Sequence, residues 1–385
     1  MAGRIVLFGA TGYTGRLVAE AMVERGMRPV LAARSPDKLE ALAAELGGGL
    51  DTATADVSDP SSVSALVERG DVLVTTVGPF SRWGAPAAAA ATTAGAHYFD
   101  STGEPGFIRE VFERYGPAAD RAGCVMLTAF GYDWVPGNLA AGLALRQAGD
   151  EAVRIDVGYF ISGRAAPSGG TRASLAASLG EPGFAFRDGR VQSERVAKRV
   201  RGFQVGSKRR DAVSVGSSEH FTLPRIAPQL REVNAYLGWF GPASRAMQAF
   251  SLGASLPGVS RLLELAGERF VKGSTGGPDA EARAKSGSHI AAIAYDGAGR
   301  ELAEVHVTGV DGYTFTGRVL AWGAQLAAEG GVQGTGALGP QEAFGLVALT
   351  DGCLWAGLEQ ESSSGEAAPG PDRAEPAAEP RATQA

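Results

Sequence analysis

A run of seven residues close to the N-terminus, Gly9-Ala10-Thr11-Gly12-Tyr13-Thr14-Gly15, limits what this chain can become more than any other feature. It follows the apolar stretch 5–8 directly and leads into an amphipathic pattern, Leu17, Val18, Ala21 and Met22. Strand, glycine turn and helix in that order open a dinucleotide-binding βαβ unit. Gly9 permits the tight turn, Gly12 lets the backbone approach a pyrophosphate, and Gly15 lets the helix sit close to the strand. The first N–H groups of the helix lack intrahelical partners and are free to meet an anion. A plain glycine-rich βα turn would use the same residues; the strand before and the helix after favour the nucleotide.

The pattern continues downstream. Short apolar runs at 5–8, 30–32, 52–55, 72–77, 97–100 and 125–127 alternate with helical stretches such as Leu39, Leu42 and Leu46, and the alanine-rich 85–95. Runs of that length fit strands buried on both faces, and the alternation implies right-handed crossovers and a doubly wound parallel sheet. The expected class is α/β: an N-terminal Rossmann domain over 1–130 and a second, α+β substrate or dimerisation domain over 131–316. Within the latter, 287–295 and 299–308, parted by Asp296-Gly297, read as a hairpin. Helical patterns at 316–329 and 343–358 make up a C-terminal part, 317–360, expected to pack back near the first domain. Residues 361–385 are Ala, Pro, Glu and Ser without apolar periodicity, which predicts a disordered tail.

Composition supports two domains and excludes several roles. The chain has 385 residues, 44% hydrophobic and 20% charged, as expected of a soluble globular protein. Net charge is -6, of which the tail from Glu361 onward supplies -3, so no basic footprint points to nucleic acid. Two cysteines, Cys124 and Cys353, give neither a disulfide framework nor a metal spacing, and both are expected to be structural. The N-terminus enters a strand without a charged-then-apolar leader, and no apolar run reaches the roughly 18 residues of a membrane helix. A cytoplasmic location is expected.

The end of the second strand bears on cofactor choice. An acidic residue there would bind the adenosine 2′-hydroxyl of NAD; here the strand runs into Ala32-Ala33-Arg34-Ser35. Arg34 and Ser35, with Lys38 a turn later, suit a 2′-phosphate, and predict NADP(H). Asp56 and Val57 follow the third strand, where they can meet the adenine. Val77, Gly78, Pro79 and Phe80 follow the fourth, beside the reversal of strand order where ligands bind. No metal ligands are expected: His220, His289 and His306 are isolated in sequence, and His97 starts a strand at the end remote from the ligand.

Several of these motifs resemble a known family. GATGYTGRLVAE, LAAR, TTVGPF-x-x-x-G and HYFDSTGE are similar to the saccharopine dehydrogenase-like oxidoreductases, and GYDWVPGNLAA, SGGTRASLAASL, SEHFTLPR and GTGALGPQEAFGL to their trans-acting enoyl reductase branch. The likeness covers nearly everything but the acidic tail. It implies an NADP-binding Rossmann domain with a substrate domain inserted before its last elements. It also implies reduction of a double bond in a lipid- or polyketide-type acyl chain carried by a separate synthase. Relatives that associate with lipid bodies extend the expectation to peripheral lipid or membrane contact. The apolar region of Phe240, Phe250, Leu252, Leu256, Leu262, Leu263 and Leu265 could line such a pocket, touch a membrane, seal a homodimer or form a core helix.

Hydride transfer belongs to the cofactor, but an enoyl reduction also needs an acid for the α-carbon and donors for the enolate oxygen. Tyr132, after the sixth strand, and Thr102 and Ser101, after the fifth, are candidate donors, with Asp133 or Glu104 as charged neighbours; Tyr132, Asp133 and Thr102 are the favoured catalytic set. Asp133 serves equally well as a cap for a helix starting near Pro136. Asp100 and Glu104 either pair functionally or cap the next helix. Ser168-Gly169-Gly170-Thr171 reads as a loop with Thr171 capping a helix. Two alternatives stay open: an imine-reducing amino-acid dehydrogenase, which would need arginines such as Arg164, Arg172, Arg195 and Arg199 to hold carboxylates, and a non-catalytic NADP-binding regulator.

Overall fold

In the computed structural model, residues 3–163, 168–169, 183–239, 241–254 and 276–361 are described, and they build two sheets. The first contains β1 (Ile5–Phe8), β2 (Val30–Ala33), β3 (Thr52–Thr54), β4 (Val72–Thr75), β5 (His97–Asp100) and β6 (Val125–Leu127). β1, β2, β4 and β6 are buried along their whole length, as short apolar runs flanked by helices must be. Every pairing in this sheet is parallel, in the order β3-β2-β1-β4-β5-β6. The chain therefore winds outward from β1 to β3 and returns to β4 on the other side of β1. That reversal separates the loops after β1 and β4 and opens a crevice at the C-terminal edge.

The second sheet is mixed. Its strands are β7 (Arg154–Ser162), β8 (Phe184–Arg187), β9 (Arg190–Ser193), β10 (Val200–Val205), β11 (Lys208–Val215), β12 (Glu232–Leu237), β13 (Gly287–Tyr295) and β14 (Glu301–Gly309). β12 and β7 pair in parallel, while β7–β13 and β13–β14 are antiparallel. The helix Val135–Ala148, buried from Val135 to Leu145, packs on β7, β13 and β14. The opposite face carries a smaller cluster: Phe160, Phe203, Tyr236, Ala291 and Ile293. Covered on both sides, β7 and β13 read as almost continuous apolar runs. The hairpin turn between β13 and β14 is held by Asp296, whose Oδ1 accepts the N–H groups of Ala298 and Arg300. The left-handed residue of that turn is Gly299 (φ +79°), not Gly297.

The chain then returns to the first sheet. The helix Gly312–Ala328 starts four residues before the apolar periodicity does, because Asp311 caps it by accepting from Tyr313 and Thr314. It lies against the helix Tyr13–Glu24; a Cβ on Gly317 would sit 2.9 Å from the Leu17 carbonyl. The glycine-rich segment contains β15 (Gly336–Ala337), a parallel addition to β6. The expected helix at 343–358 is broken in two, Pro340–Phe344 and Leu346–Ala356, by Gly345 at φ +78°. β16 (Leu358–Gln360) closes the second sheet against β14. The tail beyond Glu361 lies outside the described residues, as do Arg164, Arg172, Gly170-Thr171, Phe240, Leu256, Leu262, Leu263 and Leu265. Of the apolar region, Phe250 and Leu252 are described and exposed.

Candidate active site

The glycine turn is built for close approach. Gly9 has φ +91°, and a Cβ there would fall 2.8 Å from Thr76 Oγ1 and 2.9 Å from Val77 Cγ2. Gly15 is tighter: its Cβ would lie 2.1 Å from the Gly9 carbonyl oxygen and 2.9 Å from Ala10 Cα, so only glycine lets the helix Tyr13–Glu24 rest on the turn. Gly12 differs. It is exposed, has ordinary extended φ, and its Cβ would meet nothing nearer than 3.3 Å. It caps the helix with no side-chain hydrogen bond, leaving the first N–H groups uncapped at the C-terminal edge of the sheet. An anion fits this cradle.

The second strand delivers Arg34 to the surface and Ser35 to the start of the helix Pro36–Glu45, where Ser35 makes no side-chain cap bond. Arg34 lies near enough to Asp56 to help hold that carboxyl below its ordinary range, though hydrogen bonds from Ser58 contribute most. Those bonds, from the Ser58 N–H and Oγ at 2.8 Å each, commit one Asp56 oxygen to a turn, so its side chain is partly engaged before any adenine arrives. Tyr13 also faces elsewhere. Its hydroxyl donates to the Pro278 carbonyl (2.6 Å) and accepts from Arg283, and its ring meets Tyr313 edge-on. It joins the glycine turn to the second domain. Thr11, Thr14 and Val57 are partly exposed along the same edge.

After β4, Val77 and Pro79 are partly open, Gly78 is exposed, and Phe80 is buried at the start of a short helix. The Glu104 carboxylate accepts from the N–H groups of Phe80 and Ser81 at 2.8 Å each. Glu104 thus caps the helix after Pro79 rather than the one that follows it in sequence, and anchors this rim of the crevice. Asp100 plays a similar part on the next loop. Its Oδ1 accepts from Thr102 and Ala129, tying the ends of β5 and β6 together, and burial pushes its carboxyl up to about 6. Thr102 is buried, and its Oγ1 accepts the Glu104 N–H at 3.1 Å.

The turn after β6 presents Tyr132 and Asp133 at the same edge. Ala129, at φ +57°, sits in the left-handed region and starts that turn, held by Asp100. The Tyr132 hydroxyl donates to the Phe160 carbonyl (3.2 Å), and burial raises its pKa. Asp133 is half-buried; its Oδ2 lies 2.6 Å from where a Cβ on Gly103 would stand, and its Oδ1 is enclosed without a hydrogen-bond partner. Burial pushes its carboxyl up to about 7. Asp133 caps nothing here: Trp134 holds the N-cap position of the helix Val135–Ala148.

Behind this edge lies a polar seam that sequence reasoning missed. The Tyr159 hydroxyl donates to the Glu219 carboxyl and accepts from the Gly137 N–H. Asn138 donates to the Trp134 carbonyl and Ser218 Oγ and accepts from Thr222. Burial pushes the Glu219 carboxyl up to about 7. The motifs GYDWVPGN and SEHFTLPR thus meet through their polar residues. Their shared enrichment in Asn, Ser, Glu and Thr among apolar neighbours was the available signal. Elsewhere, His97 accepts from the Val125 N–H and joins two strands, and Cys124 and Cys353 are buried. Ser168 donates its N–H to the Tyr313 hydroxyl. His289 and His306, 17 residues apart, are in contact.

Comparison with known proteins agrees with this geometry. The family model described as NAD(P)H-binding matches residues 9–135. The first domain is an NAD(P)H-binding domain. A Mycobacterium tuberculosis protein provisionally named a trans-acting enoyl reductase is 43% identical over 141 residues, 35% of this chain and 34% of the relative. The trans-acting enoyl reductase of Mycobacterium ulcerans is 36% identical over 152 residues, 38% of this chain and 36% of the relative. These matches span about a third of the relatives' length. The solved apo saccharopine dehydrogenase (L-Glu forming) from Saccharomyces cerevisiae aligns with 94% of this chain and 100% of its own, at TM-score 0.56 and 12% identity, which shows a shared fold. The likeness read from the motifs, to trans-acting enoyl reductases and to the saccharopine dehydrogenase fold, is what these comparisons return. Among the described residues no helix is long and apolar enough to cross a membrane.

Proposed function

We propose that this chain is an NADPH-dependent oxidoreductase that reduces a carbon–carbon double bond conjugated to a carbonyl, in a lipid- or polyketide-type acyl substrate presented on a carrier. The observation that carries the reading is the uncapped helix start at Gly12 facing the same sheet edge as the unpartnered carboxyl of Asp133. Gly9, Gly12 and the N–H groups that follow would hold the pyrophosphate, and Arg34 with Ser35 would take the 2′-phosphate. When bound, the dinucleotide would supply the hydride for the substrate's β-carbon. Asp133 supplies the proton for the α-carbon, since a carboxyl raised to about 7 by burial keeps a large protonated fraction at neutral pH. Tyr132 and Thr102 have other tasks. The Tyr132 hydroxyl is spent on Phe160 and fixes the turn, while Thr102 shapes the loop around Asp133.

The imine-reducing alternative finds little support among the described arginines. Arg195 donates to the Gln248 carbonyl, and Arg199 is paired with Glu194. The test compares NADPH and NADH binding by wild type and Arg34→Ala, then follows NADPH oxidation with an α,β-unsaturated acyl thioester. Tighter NADPH binding that Arg34→Ala abolishes, with oxidation dependent on the thioester, supports the proposal. Oxidation that instead requires an amino acid with an oxo acid, or no binding of either nucleotide, overturns it.

A further inference from the structure

We infer that His289, His306 and Glu361 form a binding site for a divalent transition-metal ion that clasps the last strand onto the second sheet. The three residues converge although they lie on three strands or strand ends. His289 on β13 pairs in register with Thr308, and His306 on β14 with Ala291, so the two imidazoles are diagonal neighbours on one face. Glu361 follows β16 immediately, and its backbone N–H donates to the His306 carbonyl at 2.9 Å. Main-chain pairing therefore places all three. Their donor atoms lie within 4.8 Å of one another, and His289 is buried.

The hydrogen bonds show why a cation suits the place. His306 Nε2 lies 3.0 Å from the Glu304 carboxylate, which holds a proton there, and its Nδ1 faces His289 Nε2 at 2.8 Å. A carboxylate holding the far nitrogen of an imidazole is the usual outer-sphere support of metal-binding histidines. His289 Nδ1 lies 3.7 Å from the Glu361 carboxylate. A metal ion would replace the proton shared by the two imidazoles, and the Glu361 carboxylate is near enough to be drawn in. Metal–nitrogen bonds of about 2.0–2.1 Å require the imidazole nitrogens to part by only a few tenths of an ångström. Glu301, Glu304 and Glu361 supply negative charge nearby; among the described residues Arg210, which acts on His289, is engaged with the Ile161 carbonyl, and Arg201 acts on Glu301 and Glu304. Two imidazoles and a carboxylate suit zinc-like ions rather than calcium or magnesium.

The test titrates untagged full-length protein with Zn2+ by calorimetry, and with Co2+ by its visible spectrum. One equivalent should bind, with bands of nitrogen and oxygen ligation, and the melting temperature should rise because the unfolded chain has no such site. His289→Ala and His306→Ala should each abolish that equivalent. Glu304→Gln, which keeps all three ligands, should weaken it about ten-fold. Melting curves without metal establish that each variant folds. Absence of saturable one-to-one binding in the wild type overturns the inference. So does binding that survives in His289→Ala/His306→Ala, which would place the ion on the acidic tail.

Discussion

Two regions of this molecule concentrate polar groups, and they treat them in opposite ways. In the seam between the helices Val135–Ala148 and Glu219–Ile226 and strand β7, polar side chains satisfy one another: Tyr159 with Glu219, and Asn138 with Ser218 and Thr222. At the C-terminal edge of the parallel sheet they are left open. Gly12 caps a helix with nothing, Ser35 makes no cap bond, and Asp133 Oδ1 has no partner. Unpaired polar groups cost stability, and closed networks fix a single packing. On the proposed reading the seam is scaffold, and the edge is where a ligand completes the bonding. The NAD(P)H-binding match over 9–135 lies on the open side of that division.

The sharpest way to break the comparison lies within the glycine turn. Gly15→Ala places a methyl group 2.1 Å from a backbone carbonyl, where no side chain can yield. It should cost about 3 kcal/mol of stability and abolish nucleotide binding. Gly12→Ala meets only the Gly9 carbonyl at 3.3 Å, and it should melt like wild type. Its NADPH affinity should nevertheless fall at least about 100-fold, because the added methyl occupies the pyrophosphate's approach. Equal loss of stability in both variants, by thermal melts alongside fluorescence titration, would make Gly12 a scaffold glycine and close the open edge. Next in size is Asp133→Asn. On the proposed reaction its kcat should drop about 10²–10⁴-fold while NADPH affinity stays. A donor must be protonated, so wild-type kcat should hold below about pH 7 and fall above it, and the variant should lose that limb. A wild-type profile flat through pH 7 would remove Asp133 from the chemistry.

Much of the open edge was legible because its signals are local. Gly9, Gly12 and Gly15 follow one strand at fixed spacing, Arg34 stands where an acid would otherwise stand, and strand burial follows from runs such as Ile5–Phe8. The seam was not legible, since Asn138 and Thr222, or Tyr159 and Glu219, meet only after some 60 to 84 residues have folded between them. Glu104 shows the same limit: its partners are Phe80 and Ser81, not the helix beside it. Helix starts failed in a different way. Asp311 begins a helix through a side-chain cap while the apolar periodicity waits until Thr316, so a reading by periodicity starts late. The His289–His306 contact was within reach, because the hairpin turn sets a register that puts both on one face.

The smallest expected effect tests the scaffold side of the comparison. Burial raises the Glu219 carboxyl from 4.5 to about 7, so the folded chain holds that proton more tightly than the unfolded one. The stability this adds is fully present below the unfolded value and is lost as pH rises through about 7. Glu219→Gln keeps an acceptor for Tyr159 but cannot ionise. In urea unfolding the variant should be less stable than wild type at pH 5, by about 1 kcal/mol, and the gap should close or reverse by pH 8. Asp100 and Asp133 add slopes of the same sign to both proteins, so the difference between the two isolates Glu219. NADPH affinity should not change, because the closed seam does not meet the nucleotide. A stability gap that ignores pH would mean that Glu219 ionises in the folded chain at little cost, and the seam would then be as open as the edge it was set against.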